Sequence, residues 1–203
     1  MTTYYQLLND IIILKKAGLT SLLRIKYFLE IMRMGAYVPI EEYPENHNSV
    51  SAQCRKLTLS GQPHKVLAKV AKPAWKTRGR LAYIPTAAGN ELYSELSSGL
   101  EKYISTLEGV GMRTLNDAAI FLFVSKGKTC ITDLHSFGYE NELFDTVNIV
   151  NKTIDLGMGK SLQRSAAFKG PKLFSKKTFG GNRSSEISLT AAGAHLYKRA
   201  TGD

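Results

Sequence analysis

The spacing of apolar residues along the chain predicts a mainly helical protein with two short pairs of β-strands. The predicted helices carry apolar residues every three or four positions, begin near a capping Ser, Thr or Asn, and stop near a glycine or proline. The predicted strands are short apolar or alternating runs. In the first half the helices span 4–17, 21–34, 38–43, 48–59 and 86–107, and the strands span 66–71 and 81–85.

The second half repeats the same order of helices followed by a strand pair. Its predicted helices span 114–125, 132–137 and 141–156, and its predicted strands span 173–177 and 184–189. Gly138 is expected to form a turn, and residues 108–111 are the best linker between the halves. The second copy is longer than the first, most simply through an insertion at 158–171.

One segment at the end of each strand pair occurs twice. Thr86-Ala-Ala-Gly-Asn-Glu-Leu-Tyr93 returns as Thr190-Ala-Ala-Gly-Ala-His-Leu-Tyr197, with six of the eight residues identical. Each copy follows a strand-like run and an arginine-bearing turn, and its Thr can cap the helix that follows. A strand-to-helix corner repeated about half a chain length later predicts two copies of one small domain.

Composition adds a strong positive charge to this picture. The 203 residues carry a formal net charge of +10 with a pI near 9.6, which favours a polyanionic partner. The basic residues are concentrated in two segments without Asp or Glu, residues 47–89 and 157–184, while acids cluster at 41–45 and 133–145. A merely solvated surface would interleave both signs, so these two segments are expected to face the partner.

The predicted third helix of the first half separates apolar from polar positions. Val50, Cys54 and Leu57 lie on one side, at spacings of four and three residues. The opposite side is small, polar and positive, and it holds Asn48, Ser49, Ala52, Arg55 and Lys56. Helices followed by a strand pair are the order of a winged helix-turn-helix domain, whose third helix can lie in the major groove of DNA.

The run Trp75-Lys-Thr-Arg-Gly-Arg-Leu-Ala-Tyr-Ile-Pro-Thr-Ala-Ala-Gly-Asn-Glu-Leu-Tyr93 resembles the wing and following helix of MarR-type winged-helix regulators, and residues 187–193 resemble the latter part. The resemblance implies wing arginines at Arg78 and Arg183 and DNA-reading helices at 48–59 and 141–156. The acidic residue that usually precedes the wing arginine is missing, and Pro85 replaces a leucine. Family members carry one such domain and dimerise, whereas two copies are fused here.

The expected fold class is therefore mainly α with small β-hairpins, arranged as two tandem winged helix-turn-helix domains. The first domain covers 1–108, with a leading helix and a long closing helix, and the second covers 109–203. The apolar helices 4–17 and 86–107 are expected either to join the two domains or to form a homodimer.

The expected DNA contacts follow from side-chain chemistry on this framework. Arginine and lysine can reach guanine edges, phosphates or the minor groove, and Asn and Ser can donate to phosphates or bases. In the second reading helix Asp145 and Ile149 are also expected to face outward, and an acid there opposes DNA. The expected DNA-binding residues are Asn48, Ser49, Arg55, Lys56, Lys76, Arg78, Arg80, Asn148, Lys152, Lys176, Lys177 and Arg183.

Other kinds of site have little support in the sequence. Gly159-Lys160-Ser161 resembles the end of a phosphate loop, but Ile154 stands where the motif needs its first glycine. The four histidines have no metal-ligand spacing with Cys54 or Cys130, and these cysteines sit in apolar patterns expected of buried thiols. No catalytic residue, metal or cofactor is therefore expected.

We expect a double-stranded DNA-binding protein of the cytoplasm, associated with the nucleoid, with no membrane segment and no enzymatic activity. A sequence-specific transcriptional regulator is the first interpretation. A plasmid or phage replication or maintenance protein uses the same kind of domains, so that role stays open. A protein-interaction module and an RNA-binding protein are further alternatives, although few surface aromatics are expected on the strands.

Overall fold

A computed structural model describes residues 2–34, 38–39, 47–58, 65–71, 81–159, 171–178 and 185–202. In these ranges the protein is mainly helical with two small antiparallel sheets, which confirms the predicted α+β class. The elements are α1 Tyr4–Lys16, α2 Leu22–Met34, β1 Val38–Pro39, α3 His47–Lys56, β2 Leu67–Ala71, β3 Leu81–Pro85, α4 Ala87–Ser94, α5 Leu100–Gly109, α6 Leu115–Val124, β4 Thr129–Cys130, α7 Ile131–Glu140, α8 Val147–Gly157, β5 Phe174–Thr178, β6 Ser185–Leu189 and α9 Ala191–Thr201.

The two sheets have the same topology. The predicted strand pairs form the antiparallel hairpins β2–β3 and β5–β6, and a two-residue strand adds to each, giving the orders β1-β3-β2 and β4-β6-β5. The strand β1 corrects the helix predicted at 38–43, whose remaining residues lie outside the described ranges. Pro39 suits an edge strand because it lacks a backbone N–H, and β1 pairs with β3 on one side.

The two repeated corners make the same hydrogen bonds. Thr86 Oγ1 accepts from the Gly89 N–H at 3.0 Å, and Thr190 Oγ1 accepts from the Gly193 N–H at 3.1 Å, so each Thr caps its helix. Each Thr also donates its backbone N–H to a carbonyl just before the first hairpin strand, that of Val66 or of Leu173. This carbonyl lies against the glycine, where any Cβ would overlap it. The motif therefore needs Thr as the cap and glycine three residues later.

The single closing helix predicted at 86–107 is wrong, because the chain breaks between α4 and α5. The Ser97 N–H donates to Asp10 Oδ1 at 3.2 Å, and the Ser97 hydroxyl donates to Asp10 Oδ2. The N–H therefore bonds a side chain on α1 instead of continuing the helix. Gly99 follows the break and lies so close to Thr2 that a Cβ would overlap that side chain.

Two helix boundaries in the second half also differ from the sequence prediction. Gly138 lies inside α7, although it was predicted to form a turn, and the Phe144 ring occupies the space that a Cβ would fill there. The glycine is therefore required by this close contact and not by a turn. The helix predicted to begin at Asn141 begins at Val147 instead. A loop with Glu142 at φ 56° separates α7 from α8, and it buries Leu143 and Phe144. Asp145 consequently lies before α8 rather than on its outward face.

Helices α1 and α5 occupy matching places in the two halves. A glycine with positive φ lies two residues after the last residue of each helix, Gly18 at 76° and Gly111 at 97°. The residue after each glycine donates its N–H five residues back, from Leu19 to Leu14 at 2.9 Å and from Met112 to Leu107 at 3.1 Å. The same local ending therefore leads into α2 and into α6.

Each of these two helices packs on the first helix that follows the corresponding position in the other half, so the halves exchange them. Helix α1 packs on α6, whereas α5 packs on α2 and α9. The apolar faces of α1 and α5 are buried within the chain, and the buried apolar residues of both halves form one cluster. The fully buried residues on α1 and α5 include Leu7, Ile11, Leu14, Ile104 and Leu107. The described residues therefore share one core that spans the two halves.

Cys54 and Cys130 are both free thiols. Cys54 is buried on α3, and burial raises the pKa of its thiol to about 12. Cys130 is half-buried at the start of α7, so only Cys54 fits the predicted buried position.

The buried carboxyl of Asp10 predicts a pH dependence of stability. Its side chain is 2% exposed, and burial raises its pKa above 3.8, although the hydrogen bonds from Ser97 act in the opposite direction. The native state then keeps a proton that the unfolded chain has released. The stabilisation by Asp10 is thus complete below about pH 4 and is lost as the pH rises through the native pKa.

We therefore expect the unfolding free energy of the natural protein minus that of Asp10→Asn to fall as the pH rises above about 4. Urea unfolding at a series of pH values measures this difference, and the subtraction removes the titration of the other groups. A difference that rises with pH would contradict the raised pKa.

Candidate nucleic-acid interface

Helix α3 is held against the body of the first half by one apolar face and two polar ties. Val50, Cys54 and Leu57 are buried, as their spacing predicts. Arg24 Nε on α2 donates to Gln53 Oε1 at 3.2 Å, and the Tyr83 hydroxyl on β3 donates to the Ser51 carbonyl at 3.2 Å. Burial raises the pKa of Tyr83, which keeps its hydroxyl protonated and able to donate.

The outward face of α3 is polar and positive. Ser49, Ala52, Arg55 and Lys56 are exposed, and both basic residues lie in the last turn. The last turn can also use positive charge to offset the helix dipole, so their position by itself has a structural explanation. The absence of Asp and Glu from residues 47–89 leaves that positive charge without acidic sequence neighbours.

Helix α8 occupies the matching place in the second half. Val150, Thr153 and Ile154 are buried, and Thr153 Oγ1 donates to Asp117 Oδ1 on α6 at 2.6 Å. Asp117 also accepts from the Thr114 N–H at 2.9 Å and thereby completes the capping box in which Thr114 caps α6. The hydrogen bond between Thr153 and Asp117 joins α8 to α6 in the same way that the bond between Arg24 and Gln53 joins α2 to α3. Neither tie was predicted, although the repeat spacing places their residues at matching positions.

The outward face of α8 differs from that of α3. Asn148 and Lys152 are exposed, as predicted, and Val147 is 42% exposed beside them. Ile149 is half-buried rather than fully outward, and the last turn holds half-buried Asp155 and Leu156 where α3 has Arg55 and Lys56. The acid on this helix is therefore Asp155 and not the predicted Asp145.

The hairpin of the second half supplies two further basic side chains. Lys176 and Lys177 are exposed on β5, opposite Ile187 and Glu186 of β6. Glu186 also forms a salt bridge with Lys128, whose Nζ lies 3.1 Å from its Oε1. In the first half, exposed Lys65 lies just before β2, whose first residue donates its N–H to the Leu57 carbonyl after α3.

Several predicted contacts lie outside the described residues. Lys76, Arg78, Arg80 and Arg183 belong to the segments 72–80 and 179–184, and the proposed insertion at 158–171 falls mostly within 160–170. The backbone of Asn48 belongs to α3, but its side chain is also outside the description. The structure thus brings Ser49, Arg55 and Lys56 together on one helix and Asn148 and Lys152 on another.

Three acidic residues lie close together at the end of α7. A cleft of about 660 Å³ is lined there by Lys15, Tyr139, Glu140, Glu142, Leu143, Phe144 and Asp145. Tyr139 is 70% exposed at its edge. The acids of this cleft come from residues 140–145, whereas the outward face of α3 carries Arg55 and Lys56.

The described ranges contain neither a metal-binding cluster nor a membrane-spanning helix. No three His, Cys, Asp or Glu side chains in those ranges are grouped so that they could hold a metal ion. None of the helices described is both long and apolar enough to span a bilayer.

No protein-family model matches the chain, and neither a curated protein nor a solved structure matches it. We therefore infer a function from the residues and their arrangement alone.

Proposed function

We propose that the chain is a double-stranded DNA-binding protein with two winged helix-turn-helix copies, acting as a sequence-specific transcriptional regulator associated with the nucleoid. The observation that carries this proposal is the exposed basic face of α3 within a segment free of acid. Recognition helices bring such faces into the major groove, where arginine and lysine bind guanine edges and phosphates.

The order of elements supports the fold assumed in this proposal. In the second half it runs α6, β4, α7, α8, β5 and β6, which is three helices and a three-stranded sheet ending in a hairpin. The first half has α2, β1, α3, β2 and β3 in matching order, and residues 40–46 between β1 and α3 lie outside the described ranges. A winged helix-turn-helix domain has this order, with its reading helix just before the hairpin.

A titration of labelled duplex DNA with the full chain tests the proposal, with duplexes selected from a random pool. The variant Arg55→Ala with Lys56→Ala should lower the affinity by about tenfold or more and reduce the slope of log affinity against log salt by about 2. Both side chains are exposed, so the fold should be retained.

The matched control is Lys15→Ala with Lys16→Ala. It removes the same charge, also from the last turn of a helix. This control should change the affinity little beyond a weak, non-specific effect. Equal losses for the two double variants would contradict a reading role for α3.

The alternative functions predict different results when the full chain is tested on duplex DNA. A replication or maintenance protein would protect iterated origin repeats rather than a promoter in a footprint. A protein-interaction module is favoured for the second half by the exposed Val147 and the acidic Asp155 on α8. Such a module would leave duplex DNA unshifted and bind a protein partner with little dependence on salt.

A further inference from the structure

The contact between the two halves has the pattern of a two-fold axis. Ser21 and Thr114 form an isolated antiparallel bridge, and both precede matching helices, α2 and α6. The Leu22 N–H donates to the Arg113 carbonyl at 2.9 Å, and the Leu115 N–H donates to the Thr20 carbonyl at 2.8 Å. Reciprocal bonds between matching residues characterise the isologous contact that two identical subunits make in a symmetric dimer.

The exchanged helices follow the same symmetry. Arg33 near the end of α2 pairs with Glu101 at the start of α5, with Nε and Oε1 3.1 Å apart. Lys126, just after the end of α6, lies over the ring of Tyr4 at the start of α1, with Nζ 3.9 Å from the ring centroid. The two helix pairs are therefore antiparallel and matched. One chain contains the helix exchange that would otherwise require two.

This symmetry extends to the reading helices. Helix α3 packs on α2, and α8 packs on α6, so the local axis that relates α2 to α6 also relates α3 to α8. The apolar faces of α1 and α5 that could join a second chain are already covered by α6, α2 and α9.

We propose that a single chain binds one duplex site composed of two inverted but unequal half-sites. This inference rests on the proposed DNA-binding function and adds the form of the site and the stoichiometry. Two-fold related reading helices require inverted half-sites, because the symmetry of an operator mirrors that of the protein bound to it.

The half-sites must differ because the two reading helices present different side chains. When the buried Val50 and Val150 are superposed, the outward residues Ser49, Ala52, Arg55 and Lys56 of α3 correspond to Ile149, Lys152, Asp155 and Leu156 of α8. The half-site bound by α3 therefore faces the basic residues Arg55 and Lys56. At the matching positions of α8 the other half-site faces Asp155 and Leu156. Most of the affinity should come from the half-site of α3.

The experiment uses the full chain and the duplex that selection enriches. Native mass spectrometry gives the number of chains on the duplex, and sedimentation gives the mass of the free chain. Each half-site is then scrambled in turn, for the natural protein, for Arg55→Ala with Lys56→Ala, and for Lys152→Ala. All substituted side chains are exposed, and matching thermal melts confirm that each variant is folded.

We expect one chain per duplex and a free monomer. Scrambling one half-site should weaken binding at least about tenfold more than scrambling the other. The Arg55 and Lys56 double variant should lose its sensitivity to the stronger half-site, and Lys152→Ala should lose sensitivity to the weaker one. Two chains on a true palindrome, with equal losses for both scrambled halves, would overturn this inference and leave DNA binding intact. Failure to bind any duplex would overturn the proposed function together with it.

Discussion

Replacing Ile104 with alanine should lower the melting temperature of the whole chain by roughly 10 °C, in a single transition. Ile104 is fully buried on α5, which packs on α2 from the first half and on α9 from the second. Truncating a buried isoleucine removes transfer free energy and leaves a cavity, which together cost about 2 to 5 kcal/mol. Because one core spans both halves, the loss should weaken both of them at once.

Differential scanning calorimetry measures this effect and shows how many transitions occur. The control is Lys102→Ala, an exposed position on the same helix, where the unfolding free energy should change by less than about 0.5 kcal/mol. Two resolved transitions, of which only one moves in Ile104→Ala, would mean that the halves have separate cores.

Replacing Gly193 with alanine should lower the unfolding free energy by about 1 to 3 kcal/mol, although alanine is the better helix former. Gly193 lies in the first turn of α9, and a Cβ there would overlap the carbonyl oxygen of Leu173. That carbonyl is part of the backbone and accepts from the Thr190 N–H at 2.9 Å, so it cannot move without losing this bond. Gly89→Ala should behave in the same way against Val66.

Gly109→Ala is the matched control for this prediction. Gly109 ends α5 with no atom within 4 Å of the place a Cβ would take, so alanine should be neutral or stabilising by up to about 1 kcal/mol. Urea unfolding gives the three free energies under one condition. If Gly193→Ala is as stable as Gly109→Ala, the close approach of helix and strand at the corner does not exist.

Joining both reading helices in one chain would change how binding depends on concentration. A homodimeric regulator loses affinity when it is diluted below its dimer dissociation constant, because stability and binding are linked to association. In the proposed function α3 and α8 are joined through a shared core, so the effective concentration of the second helix would not depend on the amount of protein. If both helices read DNA, their presence in one chain would also let the two reading faces differ, as Arg55 and Asp155 or Lys56 and Leu156 do.

The sequence by itself determined the local features of this protein. Capping Thr and Ser residues, helix-ending glycines and apolar periodicity predicted most helices and both hairpins, because these signals act within a few residues. The repeated corner was visible for the same reason, since its Thr and Gly are required by contacts that each copy makes alone. The outward basic face of α3 also followed from spacing along one helix.

Only the tertiary structure decided which surfaces meet. The break between α4 and α5 depends on Asp10, which is far from Ser97 in sequence, and β1 and β4 are too short to have a pattern of their own. Nothing local distinguishes α1 packing on its own half from α1 packing on α6, because an apolar face fits any complementary apolar surface. The exchange of helices and the two-fold contact at Ser21 and Thr114 arise from long-range packing, which periodicity and capping do not encode.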